Sequence, residues 1–216
     1  MKFGAIITAG GSSKRFGNKN KLLEKINNKT IIEYTVEKFL KANLDEIVIS
    51  ANPQIIKDLE NIFTNPKIKI VTGGATRQDS VYNGLQQINC DYVLIHDGAR
   101  PLISPQTIEQ VKKEVVEKKA VSVMTKTTDT IKEVDKNGKI IKTIDRTKLY
   151  NTQTPQAFEY NLIKEIHEKL KGENFTDDCG MAEALGYDVY MVQGQPENIK
   201  ITYQTDMKIA EILSNK

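Results

Sequence analysis

Short apolar runs alternate with longer amphipathic stretches along this chain. Phe3 to Ala9 is almost continuously apolar, the pattern of a strand covered on both faces. Ile32, Val36, Phe39 and Leu40 mark one face of a helix. Further apolar runs at 46–50, 68–71, 91–97 and 120–124 predict strands. Helices are predicted between them at Pro53 to Phe63, Asp79 to Ile88 and Pro105 to Lys119, two of these with a proline at the start. Such alternation predicts an α/β fold, with a mostly parallel sheet and helices on both faces.

The rhythm breaks at "TIKEVDKNGKIIKTI", 130–144, which alternates with period two around Asn137-Gly138. This predicts a β-hairpin whose two central residues both take positive φ, and which projects from the sheet as an arm. Two helices follow, at Glu159 to Lys171 and Asp178 to Leu185. A strand at "DVYMV", a short "NIKIT" and a helix from Thr205 complete the chain. The expectation is one domain over 1–216, with the arm at about 128–152.

Composition narrows the function classes. The 216 residues are 39% hydrophobic and 27% charged, ordinary for a globular protein. A formal charge of +3 and the lack of an aromatic-basic platform argue against nucleic-acid binding. Cys90 and Cys179 form no Cys-x-x-Cys unit, which argues against a zinc or redox motif. No apolar run is long enough to span a bilayer, and no signal segment is visible, so a cytoplasmic location with no membrane partner is expected.

In open α/β sheets, ligands bind beyond the carboxyl ends of the strands. The segments Thr8 to Lys21, Gly73 to Ser80, Asp97 to Arg100, Lys126 to Thr130 and Asn198 to Lys200 are therefore the candidate site. Gly10-Gly11-Ser12-Ser13 can bring backbone N–H groups up to a phosphate, although the spacing matches neither G-x-G-x-x-G nor the P-loop. Arg15 and Lys21 could close over a polyphosphate, whereas Lys14 and Lys19 read as a solvated basic face. Asp97 at a strand end suits Mg²⁺ or a turn cap, and His96 reads as structural. Arg100 could hold a phosphate or ribose, or pair with an acid at the core rim. Gly73, Gly74 and Ser80 could shape a base pocket, with Arg77 structural. Lys200 either snorkels or points at a phosphate.

The motifs "TAGGSSKRFG" with Lys21, "GGATRQDSV", "HDGARP", "TIDR", "TQTPQ", "TDD" and "NIKIT" occur in order over nearly the whole chain. In this the chain resembles the 2-C-methyl-D-erythritol 4-phosphate cytidylyltransferase family. The resemblance implies a Rossmann-like nucleotidyltransferase fold, a homodimer joined through the arm, and dependence on Mg²⁺. It implies that CTP and a sugar-alcohol phosphate give a CDP-linked product and pyrophosphate, in isoprenoid precursor synthesis. By motif, Arg15 and Lys21 match transition-state stabilisers, and Arg146 and Lys200 match residues that position the acceptor phosphate. Asp97 matches the metal-associated acid. Thr8, Ala9, Gly10, Gly11, Gly74, Ser80 and Arg100 fall at nucleotide-binding positions. Thr130 and Thr154 match acceptor contacts on or near the arm, supplied by the neighbouring subunit. Three positions depart from the pattern: Asn20 for a proline, Leu22 for a glutamine, and Ala75 for an acid that helps read the base. A ribitol 5-phosphate cytidylyltransferase and a non-catalytic nucleotide-binding module are the alternatives.

Overall fold

A computed structural model describes every residue except Ser12, Lys14, Asn18, Asn215 and Lys216. The reading of Lys14 as a solvated base, and the Ser12 part of the glycine loop, lie outside the described residues.

In chain order the elements are β1 (Phe3–Ala9), β2 (Lys25–Ile26), β3 (Lys29–Thr30), α1 (Ile31–Lys41), β4 (Glu46–Ala51), α2 (Ile56–Ile62), β5 (Ile68–Thr72) and α3 (Arg77–Leu85). There follow β6 (Tyr92–Asp97), α4 (Pro105–Lys118), β7 (Ala120–Lys126), β8 (Lys132–Val134), β9 (Ile140–Thr143) and β10 (Tyr150–Glu159). The chain continues through α5 (Tyr160–Lys169), α6 (Asp178–Ala184), β11 (Tyr190–Gln193) and α7 (Gln204–Ser214). Single 3-10 turns occupy Lys21–Leu23, Pro53–Ile55 and Arg146–Lys148.

Seven strands form one sheet in the order β11-β7-β10-β6-β1-β4-β5. All neighbours are parallel except β10, which runs antiparallel to both β6 and β7. Alternate residues of the central strands feed two cores. Ala5, Ile7, Ile47 and Ile49 pack with the buried faces of α1, α2 and α4. Ile6, Val48, Val93 and Ile95 pack with α3, α5 and α6. Because both faces are covered, the strands read as continuous apolar runs.

Helix starts are set by local side chains. Thr30 and Glu33 form a capping box at α1, and Thr76 and Asp79 form another at α3. Ser104 caps α4, with Pro105 in its first turn. The α3 helix thus begins two residues before the predicted Asp79, which brings Arg77 into its first turn.

Two sequence expectations change. The segment "NIKIT" is not a strand; it crosses the ends of the sheet as irregular chain. The arm hairpin does not turn on two positive-φ residues, since only Gly138 has one, at 82°. The Gly138 amide donates to the Asp135 carbonyl at 3.0 Å and the Asp135 amide to the Lys139 carbonyl at 3.0 Å. This is a three-residue loop closed by a left-handed glycine, and the Asp135 carboxylate accepts from the Asn137 and Lys139 amides. The side chain of Asp135 supplies the turn stability that a two-residue turn draws from its backbone alone. Among the described residues, no helix is long and apolar enough to cross a membrane.

Candidate active site

The carboxyl ends of β1, β4, β5 and β6 open into a cavity of about 500 Å³. Thr8, Ala9, Gly10 and Gly11 line one side, and Gly74, Ala75 and Ser80 the other. Asp97, Lys21, Arg77 and Lys200 contribute the charged lining. A second cavity, of about 520 Å³, lies on the β10 and α6 side, where Arg100, Thr152, Thr154 and Asp177 line it. Arg77, Asp97 and Lys200 line both cavities and therefore mark their junction.

The first wall is shaped by close backbone packing. A Cβ on Gly74 would lie 2.1 Å from Asp79 Cβ, so only glycine fits that approach. The Gly74 amide donates to Ser80 Oγ at 3.1 Å, and the Ser80 hydroxyl donates to the Thr76 carbonyl at 2.9 Å. Ser80 is buried and has spent its proton, so it sets the loop's shape. Ala75 is exposed at the rim and offers a methyl where the family pattern has an acid.

Lys21 is delivered by its 3-10 turn. Asn20 caps this turn by accepting from the Leu22 amide at 3.1 Å, and Leu22 is buried against the core. The two departures at 20 and 22 therefore act together to seat Lys21. Its amide donates to Ser13 Oγ at 3.2 Å, and its Nζ donates to the Ile201 carbonyl at 2.6 Å. Burial lowers its pKa to about 8; Lys200 and Arg15 push the same way, and Asp97 opposes them. Arg15 is exposed and lines neither cavity. Lys19 is also exposed, 3.9 Å from Glu24.

Asp97 ends β6 at the junction. Its Oδ2 lies 2.7 Å from Lys200 Nζ and 3.6 Å from Arg100 Nε, and its Oδ1 lies 3.7 Å from Arg77 Nε. Burial opposes its charge, but Lys200, Arg77 and Arg100 outweigh it and hold the carboxyl well below the usual carboxylate range. Thr8 Oγ1 lies 3.4 Å from the same carboxylate.

Arg100 is at the core rim and does not line the first cavity. Its guanidinium donates to the Asn198 carbonyl at 2.8 Å and faces Asp97. Of its two readings, the structure favours the pairing with an acid over a grip on ribose in the first cavity. Thr154 lies within β10 and not on the arm. It is buried, accepts from the Asp97 amide at 3.1 Å and lies 3.0 Å from His96 Nδ1. His96 Nε2 faces the Arg100 carbonyl at 3.1 Å, so that nitrogen carries the proton and Nδ1 accepts from Thr154. Burial lowers the His96 pKa to about 4 and keeps it neutral, which makes it a structural residue. Thr154 is thus bound within its own subunit's sheet while still lining the second cavity.

Arg146 and Thr130 are not brought to either cavity of their own chain. Both are exposed on the arm, where Arg146 Nη1 donates to the Thr128 carbonyl.

Some lining residues escaped the sequence reading. Asn52 directly follows β4, and the strand-end rule finds it once applied to that strand too. Gln153 and Gln156 on β10, and Asp177 at the start of α6, fall in the motifs "TQTPQ" and "TDD" but lie outside the strand-end segments, and no role attaches to them from sequence. Arg77, read as structural, lies at the heart of the site.

Residues 3–216 match the family model described as IspD, 2-C-methyl-D-erythritol 4-phosphate cytidylyltransferase. A protein of that name from Dictyoglomus thermophilum is 40% identical over 226 residues, covering 100% of this chain and 97% of its own. One from Clostridioides difficile is 42% identical over 223 residues, covering 99% and 94%. Among solved structures, the 4-diphosphocytidyl-2C-methyl-D-erythritol synthase of Anaerococcus prevotii superposes with a TM-score of 0.86 at 31% identity, covering 100% and 96%. The 2-C-methyl-D-erythritol 4-phosphate cytidylyltransferase of Thermus thermophilus gives 0.84 at 27% identity, covering all of both chains.

Proposed function

The chain belongs to the 2-C-methyl-D-erythritol 4-phosphate cytidylyltransferase family, and from that premise we propose that its two cavities divide the reactants. Its reaction is transfer of CMP from CTP to 2-C-methyl-D-erythritol 4-phosphate, with release of pyrophosphate. CTP takes the cavity walled by Thr8 to Gly11 and by Gly74. The sugar-alcohol phosphate takes the one beside Thr154. The observation that carries this reading is the junction itself. Asp97, Arg77 and Lys200 line both cavities, so a group moved from one ligand to the other passes them.

The acceptor phosphate is already an anion and needs no strong base. One of its oxygens forms a bond to the α-phosphorus of CTP, and the bond from that phosphorus to the pyrophosphate oxygen breaks. The difficulty is mutual repulsion, which gathered cations and in-line alignment overcome. Lys21 and Lys200 stand in the cavity wall where charge develops, and Arg15 adds its positive charge from outside both cavities. The Lys21 ammonium leaves the Ile201 carbonyl for a phosphate oxygen, a stronger charge-assisted partner.

Among the described residues, no group of three His, Cys, Asp or Glu could form a metal cage. Mg²⁺ nevertheless fits, because it binds through one or two carboxylates plus substrate phosphates and keeps several waters. Asp97 is ionised and is the one carboxylate lining the first cavity. When bound, Mg²⁺ would neutralise charge on the triphosphate.

The arm points to a homodimer. Val134, Ile140 and Ile141 are each more than half exposed on it, enough apolar surface to favour a second copy. In that dimer, Arg146 and Thr130 reach the partner's second cavity.

Pyrophosphate release, with CTP and Mg²⁺, tests the acceptor. Release is expected with 2-C-methyl-D-erythritol 4-phosphate and not with ribitol 5-phosphate. Faster release with ribitol 5-phosphate would contradict the reading.

A further inference from the structure

Asp178 is fully buried and lines neither cavity, yet it is tied to the junction. One of its oxygens accepts from Arg77 Nη1 at 2.7 Å. The other lies 2.9 Å from Nε2 of the buried His167. Its amide donates to Gln156 Oε1 at 3.0 Å, and Gln156 Nε2 donates to Asp177 Oδ2 at 2.6 Å. The Asp178 carboxylate therefore cannot turn without breaking contacts on two sides, and Gln156 fixes its backbone.

That fixity passes to Arg77. A guanidinium is a rigid planar fork, so holding Nη1 on Asp178 sets where Nε points. Nε lies at ion-pair distance from Asp97 Oδ1, 3.7 Å away, while Lys200 holds Oδ2 at 2.7 Å. Burial opposes the charge on Arg77, and Asp178 and Asp97 more than offset it, which keeps the guanidinium firmly protonated. Arg77 Nη2 is also buried and has no partner among the described residues. Leaving a buried donor unmet costs stability, so shape and stability alone do not account for an arginine here.

We propose that Asp178 and Arg77 form a positioning pair, which fixes the orientation of the Asp97 carboxylate at the junction of the two cavities. The pair also links the first turn of α3, on the nucleotide wall, to the first turn of α6, on the acceptor wall. Asp178 acts only through Arg77 and touches neither ligand. This inference rests on the assignment of CTP and the acceptor to the two cavities.

The test is steady-state kinetics of the whole enzyme, together with CTP binding by calorimetry. Asp178→Asn is expected to lower kcat by about tenfold or more, and to leave CTP affinity within about threefold. Arg77→Lys keeps the charge but loses the fork, and the same split is expected. It leaves the buried His167 contact in place, so it tests the proposal even where Asp178→Asn folds poorly. Because the two act in series, the double variant should be within about twofold of Arg77→Lys alone. Parental kcat in Arg77→Lys, or losses that simply add in the double variant, would overturn the proposal. Absence of turnover in the unsubstituted protein would overturn the functional reading itself, and this inference with it.

Discussion

Around Asp97, charged side chains face one another, and Lys200, Arg77 and Arg100 all converge on a single carboxylate. On the arm, the opposite holds. Charged residues such as Lys142 and Glu133 pair in solvent, while Val134, Ile140 and Ile141 stand exposed. The cleft is organised within one chain. The arm presents what a single chain does not use: apolar surface, and an arginine outside both cavities. The difference teaches that binding of the nucleotide and use of the acceptor make different demands on the assembly. In the proposed dimer, the first needs only this fold and the second needs a neighbour.

The largest effect is expected where the cleft meets developing charge. Lys21→Ala should lower turnover by about a hundredfold or more, a few kcal/mol, as for one lost oxyanion-type donor. Its unfolding midpoint in urea should stay unchanged. Parental turnover would remove Lys21 from the reaction. The same residue sets a pH limb. With a pKa lowered to about 8, its charged form dominates below that pH and is lost above it. The value of kcat/KM for CTP should therefore fall as pH rises through about 8.

A smaller effect is expected behind the cleft. Thr154→Val keeps shape but removes the hydroxyl that serves both the Asp97 amide and His96 Nδ1. Leaving these buried groups unmet should cost about 1–3 kcal/mol of stability, read by urea unfolding. An unchanged midpoint would show that the hydroxyl is not spent inside the subunit.

The same contrast explains what could be read from the sequence. The strands that end at the cleft, β1, β4 and β6, are buried on both faces and stand out as apolar runs. Strand β10 was not legible, although it builds the second cavity. Pro155 interrupts it, and proline normally argues against a central strand. The structure seats Pro155 in a break of register between Thr152 and Gln156, where the pairing with β7 is already irregular. Periodicity also carries no strand direction, so the antiparallel placement of β10 was out of reach. Arg77 was visible as a residue but not as part of the site. Its significance depends on Asp178, which is 101 positions away. By contrast, Lys21 is legible because it closes a strand-end segment rich in glycine and base, and Lys200 because it is a lone base between apolar residues in "NIKIT".

Each acceptor site is proposed to take its cleft from one chain and its arm from another. Mixing Lys21→Ala and Arg146→Ala subunits tests this directly. Each variant alone should be nearly inactive with 2-C-methyl-D-erythritol 4-phosphate, and Arg146→Ala should still bind CTP. After subunit exchange, a mixed dimer pairs the intact Lys21 cleft of one chain with the intact Arg146 arm of the other. The account predicts recovery to about a quarter of parental turnover, because half of the dimers are mixed and half of their sites are complete. Activity of the exchanged mixture that stays at the average of the two variants would contradict it.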